Sequence, residues 1–420
     1  MTTTSRPQTT ESPARDFRFS WTDSFLWAVR VVAIFVIVWG FVGAIALGLE
    51  GNGLDADEWK QLIVGGLAQG SMYGLIALGY SMVYGILGFI NFAHGEVFMV
   101  GAMVAFFAAD ALERVGMWDA NFLVAIFIVL LVAIATSTFT AVLIEKIAYR
   151  PLRNAPRLIP LITSIGLSFF LQYSVLLLFG ATPKTYPRAP EWLRETFDIL
   201  GFQVKGTTLL VFGIAAVSMT GLWLFVERSA TGRSMRAVAE DKEIAALMGI
   251  NVDRVIVTTF AVGGAMAGVA AILWAIIFRT VTFTTGFLPG IKAFTAAVLG
   301  GIGNIVGAMV GGLLLGLFEG LGPNVVLKGL SWQIPAGVGV VLAVAGGVVV
   351  VTARIVRRNG IVVLGAASML LGMAGILGWT IVIPGVSQLK DVVAFTALIL
   401  VLIFKPSGLF GEQLGKEDRA

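Results

Sequence analysis

The groups able to do chemistry are few, and several fall in one short stretch between apolar runs, Ile90-Asn91-Phe92-Ala93-His94-Gly95-Glu96. Ionisable and amide side chains are costly inside a bilayer, so Asn91, His94 and Glu96 there are a functional signal. A helix break at Gly95 would put Glu96 in a first turn, where unpaired amides and the helix dipole favour a carboxylate. Asn91 and His94 would then satisfy freed backbone groups. The stretch reads either as that structural device or as the lining of a polar solute's path, since broken helices present donors and acceptors at depth. His94 is the only histidine and there is no cysteine. That argues against a histidine triad and a multi-histidine metal site, and excludes thiolate chemistry. The residues point to transport rather than catalysis.

A second group lies in the polar patch TGRSMRAVAEDKEIAALMGIN, Thr231 to Asn251, between two apolar spans. Ser234 is a candidate cap for a helix whose exposed face carries Arg236 and Glu240 at four-residue spacing. Val238, Ala245 and Met248 offer a short apolar face, and Gly249 suits the left-handed turn that would end the helix. A helix so short is marginal alone. It either docks against something or is a solvated loop helix. Lys292 and Glu319, also in apolar surroundings, read as side chains that snorkel to an interface.

The elements that must position these groups are membrane spans. Of 420 residues, 57% are apolar and 13% charged, with mean hydropathy +0.91, more apolar surface than a soluble core can hide. The formal charge of +4 sits in short loops and tails, where it sets orientation and does not suggest nucleic acid. Residues 1–24 read as a disordered cytoplasmic tail. Apolar spans lie beyond it at about 25–48, 61–88, 97–112, 122–148, 158–180, 207–227, 255–278, 291–321, 332–352, 361–383 and 391–404. The first ends in Ala44-Ile45-Ala46, which resembles a signal-peptidase site, but its apolar run exceeds the usual ~7–15 residues, so it reads as an uncleaved anchor. The outer loop at 181–206 suggests a short interfacial helix among Pro183, Pro187 and Pro190.

Arg6, Arg15 and Arg18 place the N-terminus inside, as Arg150, Arg153 and Arg157, then Arg228, Arg233, Arg236, Lys242 and Arg254, place their loops. Arg354, Arg357, Arg358, Lys405 and Lys416 do so near the C-terminus. These assignments agree only if 291–321 enters and leaves on the same side. Its centre, Gly300-Gly301-Ile302-Gly303-Asn304, is a break suited to a broken helix or re-entrant hairpin, giving about ten crossings, or about twelve if the hairpin traverses fully. Glycines recur at four-residue steps, 66/70/74, 303/307/311 and 312/316/320. That is the spacing of close helix contact in lipid, within one subunit or at a subunit or pore interface.

Four strings resemble the permease subunits of ABC importers for branched-chain amino acids and related amides, particularly the smaller of the paired permeases. They are GSMYGLIALGYSMVYGILGFINFAHGE at 70–96, ERSATGRSMRAVAEDKEIAALMGI at 227–250, GIKAFTAAVLGGIGNIVGAMVGGLLLG at 290–316 and KDVVAFTALILVLIFKPSGLFG at 390–411. The resemblance implies an all-α polytopic bundle in a bacterial inner membrane, both termini cytoplasmic. Its permease core is 61–330, with a coupling loop at 228–254 and a last core helix and tail at 388–420. An added anchor and linker (25–60) and an inserted helical pair (331–387) depart from the pattern.

In this family a cytoplasmic coupling helix enters a groove of the ATPase. The pattern Glu-Ala-Ala, three residues, Gly is met by Glu243-Ile244-Ala245 and Gly249, without the second Ala; Arg236, Glu240, Asp241, Glu243, Ala245 and Gly249 are the coupling candidates. The implied partners are a second homologous permease, two ATP-binding cassette ATPases, an extracytoplasmic solute-binding protein and membrane lipid. ATP and magnesium belong on the ATPases: this chain has no GxxxxGK[ST] loop and is expected to have no cofactor and no enzymatic activity of its own. The implied solute is a branched-chain amino acid. Its path would be lined by Asn91, His94, Gly95 and Glu96 together with Gly301, Gly303 and Asn304. A urea or short-amide importer is the nearest alternative. An ion-coupled secondary transporter lacks paired intramembrane acids here, and an intramembrane enzyme lacks acid, base and metal groups.

Overall fold

The computed structural model describes residues 21–51, 53–153, 155–156, 158–330, 336–355, 359–378, 389–405 and 407–411. Most of the expected N-terminal tail, Arg6, Arg15, Arg18, Arg157, Arg357, Arg358 and Lys416 therefore lie outside the described residues. In chain order the helices are α1 (Trp21–Leu49), α2 (Ala56–Leu87), α3 (His94–Arg114), α4 (Met117–Ala120), α5 (Phe122–Ile144), α6 (Leu158–Phe179), α7 (Glu191–Arg194) and α8 (Gly206–Arg228). Then come α9 (Ala230–Glu240), α10 (Lys242–Leu247), α11 (Val252–Phe278), α12 (Phe287–Gly300), α13 (Ile305–Gly322), α14 (Ala336–Ile355), α15 (Asn359–Ile376) and α16 (Lys390–Phe404). Among the described residues nine helices are long and apolar enough to cross a membrane. The protein is an all-α, multi-pass membrane bundle.

The chain divides into two compact units, 1–39 with 333–379, and 40–332 with 380–420. In the first, α14 and α15 form an antiparallel pair at backbone contact. A Cβ on Gly339 would lie 2.8 Å from the Gly372 carbonyl, one on Gly346 would lie 2.6 Å from that of Gly365, and Ser368 Oγ donates to the Leu342 carbonyl at 3.0 Å.

The second unit is organised around α2, buried almost continuously from Gly70 to Val83. A helix apolar on every side must be enclosed, and α11, α12 and α13 enclose it. The glycine steps at 66/70/74 and 312/316/320 face one another across α2 and α13: a Cβ on Gly66 would sit 2.8 Å from the Gly316 carbonyl, and one on Gly70 2.8 Å from that of Gly312. Of the two readings of those glycines, packing within one chain is the one observed. Gly307 and Gly311 instead approach Gly300 and Ala296 of α12.

The 291–321 region is two helices. α12 has 14 residues, about 21 Å of helix and short of the ~30 Å hydrocarbon core. The apolar helical run from Ile305 to Leu327 has 23 residues, about 34 Å, and can cross. Between α6 and α8 the expected interfacial helix shrinks to the single turn of α7. Two short antiparallel pairings take most of the rest: β1 (Lys184–Thr185) with β4 (Thr280–Val281), and β2 (Thr196–Ile199) with β3 (Phe202–Lys205). Alternating Thr-Phe-Asp-Ile and Phe-Gln-Val-Lys favour a hairpin once the prolines have ended any longer helix. Tyr186 donates to the Ala102 carbonyl. Burial pushes its phenol well above the ordinary value, so it remains a donor tying this loop to α3.

At the end of the bundle near α9 and α10, α5 continues through a π-turn at Glu145–Tyr149. Fully buried Glu145 pairs with Arg153, which also pairs with Asp253 at the start of α11; Arg150 meets the same aspartate at 3.0 Å. Arg153→Leu would strand the Glu145 carboxylate and is expected to cost about 3 kcal/mol. Chemical denaturation of the detergent-solubilised protein would show it, and an unchanged midpoint would contradict the pairing.

Candidate translocation site and docking helices

α2 stops at Leu87 and the chain doubles back before α3 begins. Asn91 closes that turn: its Oδ1 accepts from Ala93 N at 3.1 Å and from Tyr149 Oη at 2.5 Å, while its carbonyl accepts from His94 N at 3.1 Å. α3 thus starts inside the apolar thickness. The His94 ring lies edge-on to Tyr80, centroids 5.0 Å apart, about two turns before the end of α2. Ser137, midway along the apolar run Phe122–Leu152, donates to the Val97 carbonyl at 3.1 Å.

The short helix α12 begins at the same place. A Cβ on Gly95 would come 2.5 Å from the Gly286 carbonyl and 2.8 Å from Gly290 Cα, so the N-termini of α3 and α12 meet. Glu96, 1% exposed, is in the first turn of α3, where free amides and the helix dipole offset part of the cost of burying a carboxyl group. Its Oε1 accepts from Gln172 Nε2 at 2.7 Å and Ser168 Oγ at 3.1 Å. Its Oε2 and the Nε2 of His94 have no hydrogen-bond partner among the described residues. The first turn of α3 therefore carries two buried polar atoms with bonding capacity to spare beside two facing helix starts.

Gly301, Gly303 and Asn304 are elsewhere. They form the turn at the far end of α12, about 20 Å along the helix from Gly95, so the two halves of the expected path are not brought together. Gly301 (φ 107°) and Gly303 (φ 92°) take the left-handed backbone of that turn. Asn304 caps α13 by accepting from Gly307 N at 2.9 Å and donates to the Phe410 carbonyl at 3.0 Å. Leu409 N and Phe410 N donate to the Leu299 and Gly300 carbonyls, so the segment after α16 supplies the donors that α12's last turn lacks. The residues sequence reasoning missed at the Glu96 site are Gly286, Gly290, Tyr149, Ser168 and Gln172. Ser168 and Gln172, polar at i and i+4 on one face of an apolar helix, were the available signal.

Lys292 and Glu319 do not snorkel. They are 5% and 3% exposed and paired at 2.9 Å, with Asp391 2.7 Å from Lys292 and Lys390 3.7 Å from Glu319. Tyr73 Oη stands 3.5 Å from Lys292 Nζ. α2, α12 and α13 bring Tyr73, Lys292 and Glu319 to one buried cluster, and α16 adds Lys390 and Asp391, both half-buried, at its edge; paired charges there cost far less than separated ones.

The patch from 231 to 251 folds into two helices rather than one. Ser229, not Ser234, caps α9 by accepting from Gly232 N at 2.9 Å; Ser234 Oγ donates to the Ala230 carbonyl at 3.2 Å. Arg236 does not pair with Glu240. It donates to the Val226 and Glu227 carbonyls and lies 3.3 Å from the Glu227 carboxylate, closing the end of α8. Asp241 breaks the run with extended backbone and caps α10, accepting from Glu243 N at 2.8 Å and Ile244 N at 2.9 Å. Gly249 (φ 83°) ends it: Ile250 N reaches the Ala245 carbonyl and Gly249 N that of Ala246, the paired bonds of a Schellman turn. Met235, Val238 and Ala245 are buried. Met248, expected on that face, is 78% exposed and continues an outward apolar patch with Ile244 and Leu247, the latter 86% exposed. Glu240 and Glu243 flank the patch in the open.

The family model for the branched-chain amino acid transport system permease component matches residues 62–328. The chain belongs to this family. The permease BraD of Pseudomonas aeruginosa's high-affinity branched-chain amino acid transport system is 40% identical over 357 residues, 84% of this chain and 96% of that one. The corresponding LivH permeases of Salmonella typhimurium and Escherichia coli K12 are each 44% identical over 215 residues, 51% of this chain and 69% of theirs. No solved structure gives a match. Within a branched-chain amino acid permease, the Glu96 site sits in the family-matched segment, as do α9 and α10. Glu96→Ala would leave the Gln172 amide and Ser168 hydroxyl buried without an acceptor, an expected loss of about 2 kcal/mol. Glu96→Gln, which keeps an acceptor oxygen, should recover at least half of that in a thermal-shift comparison, and equal losses in both variants would contradict the bonding described.

Proposed function

We propose that the chain is the smaller permease subunit of an ATP-driven importer for branched-chain amino acids, multi-pass in a bacterial inner membrane with both termini cytoplasmic. It forms the pathway with a second homologous permease, takes solute from an extracytoplasmic binding protein and is moved by two ATP-binding cassette ATPases that carry ATP and magnesium. The observation that carries this reading is the outward apolar patch Ile244–Leu247–Met248 on a capped two-helix projection, in a chain without a phosphate loop of its own.

ATPase closure would press on α10. α9 is locked to α8 by Ser229 and Arg236, and Asn251 caps α11 by accepting from Arg254 N at 2.9 Å, so the push enters two spans at once. α11 packs on α2, α3 and α5, and a rigid shift of α11 would alternate access at the Glu96 site, where α3 and α12 begin. The facing helix starts suit a carboxylate, and the Glu96 Oε2 suits an ammonium group. Reconstituted alone in proteoliposomes, the chain should show no concentrative leucine uptake. With the ATPases, second permease and binding protein, uptake should require ATP. Sustained concentrative flux by the lone chain would overturn the proposal.

A further inference from the structure

A cavity of about 540 Å³ opens at the end of the bundle opposite α9 and α10, between the first turns of α2 and α8 and the last turns of α11 and α13. Its lining combines Glu319, Lys390 and Lys205 with the apolar side chains of Leu62, Ile276 and Pro323. The Glu319 carboxylate is all but fully buried; Oε1 is held by Lys292, and Oε2 has no hydrogen-bond partner among the described residues. An acceptor buried without a donor costs free energy until something donates to it. An alkylammonium group is the complementary donor, and Lys390 and Lys205 offer cations to a carboxylate in the same space.

Charge pairing selects between ligands. The lining holds groups of both signs, the Glu319 carboxylate against the cations of Lys390 and Lys205, beside apolar side chains, so a ligand that carries an ammonium, a carboxylate and an apolar side chain finds a partner for each, and each desolvated charge is paired. We infer that this cavity is a first receiving subsite for a zwitterionic aliphatic amino acid, with its ammonium on Glu319, its carboxylate toward Lys390 and Lys205, and its side chain against Leu62, Ile276 and Pro323. The inference rests on the permease reading and assigns that pathway a second station, separate from the Glu96 site.

The test uses the full chain in lipid nanodiscs, with binding followed by saturation-transfer NMR. Three probes divide the chemistry: leucine, isovalerate with the carboxylate alone, and isoamylamine with the ammonium alone. Leucine should bind more tightly than either fragment. Lys390→Gln and Lys205→Gln should each weaken leucine and isovalerate at least fivefold and leave isoamylamine unchanged, and Glu319→Gln should weaken leucine and isoamylamine instead. Because Glu319→Gln also removes the partner of Lys292, the two lysine variants decide the outcome if it fails to fold. Leucine binding that is absent, or indifferent to both lysine changes, overturns the subsite. If the assembled transporter still accumulates leucine in that case, the permease reading stands; if it does not accumulate leucine, both fall.

Discussion

Gly316→Leu is expected to abolish both leucine uptake and recovery of monodisperse protein, at a cost of about 3 kcal/mol or more. A Cβ at Gly316 would collide with the Gly66 carbonyl and the Gly70 backbone, and backbone cannot rotate aside as a side-chain tip can. In lipid no hydrophobic force holds α2 to α13, so close van der Waals contact along these glycines is what holds them. Gly221→Leu on α8 is the control: a Cβ there meets nothing within 4 Å, and the variant should match wild type in size-exclusion profile and uptake. If the two variants behave alike, the α2–α13 contact is not the seam described.

Gly249→Pro is expected to leave the protein in the membrane at normal abundance and to cut uptake about a hundredfold. Its φ of 83° is closed to proline, which is fixed near −65°, and its N–H, bonded to the Ala246 carbonyl, would be lost. The end of α10 would unwind and disperse Ile244, Leu247 and Met248, while the bundle, which does not depend on that turn, would persist. Glu243→Lys keeps the helix and reverses the charge beside the patch, so it should uncouple with less structural loss. ATP hydrolysis and leucine uptake measured together on the assembled transporter would show hydrolysis no longer driving transport. Tight coupling in both variants would remove α10 from the drive.

Much of the bundle was legible because the signal is local. A run of apolar residues long enough to cross reports its own span whatever its neighbours do. The break at 300–304 also reports itself, through glycines that allow left-handed backbone and an asparagine that caps the next helix. The same locality explains the misreadings. Ser229 and Ser234 both offer a capping hydroxyl, and which one caps depends on where α8 stops. Arg236 has Glu240 at helical spacing but lies nearer Glu227 and the open carbonyls of α8, which a helix diagram of the patch alone omits. Met248 fits the apolar face by periodicity, but the break at Asp241 rotates α10 and turns it outward.

The sequence by itself determined that this protein lives in a bilayer, roughly where its spans lie, and that a short polar projection with its own helix signals interrupts them. The bilayer and the spans follow from transfer free energy summed along the chain; the reading as a transporter rests on the few groups able to do chemistry and on the family strings. Only the tertiary structure decided that Gly95 meets Gly286 and not Gly301, that Glu96 is held by Ser168 and Gln172, and that Lys292 is paired with buried Glu319 and half-buried Asp391. Such pairings join residues far apart in sequence, and their energies depend on distance and burial, which exist only once the helices have packed.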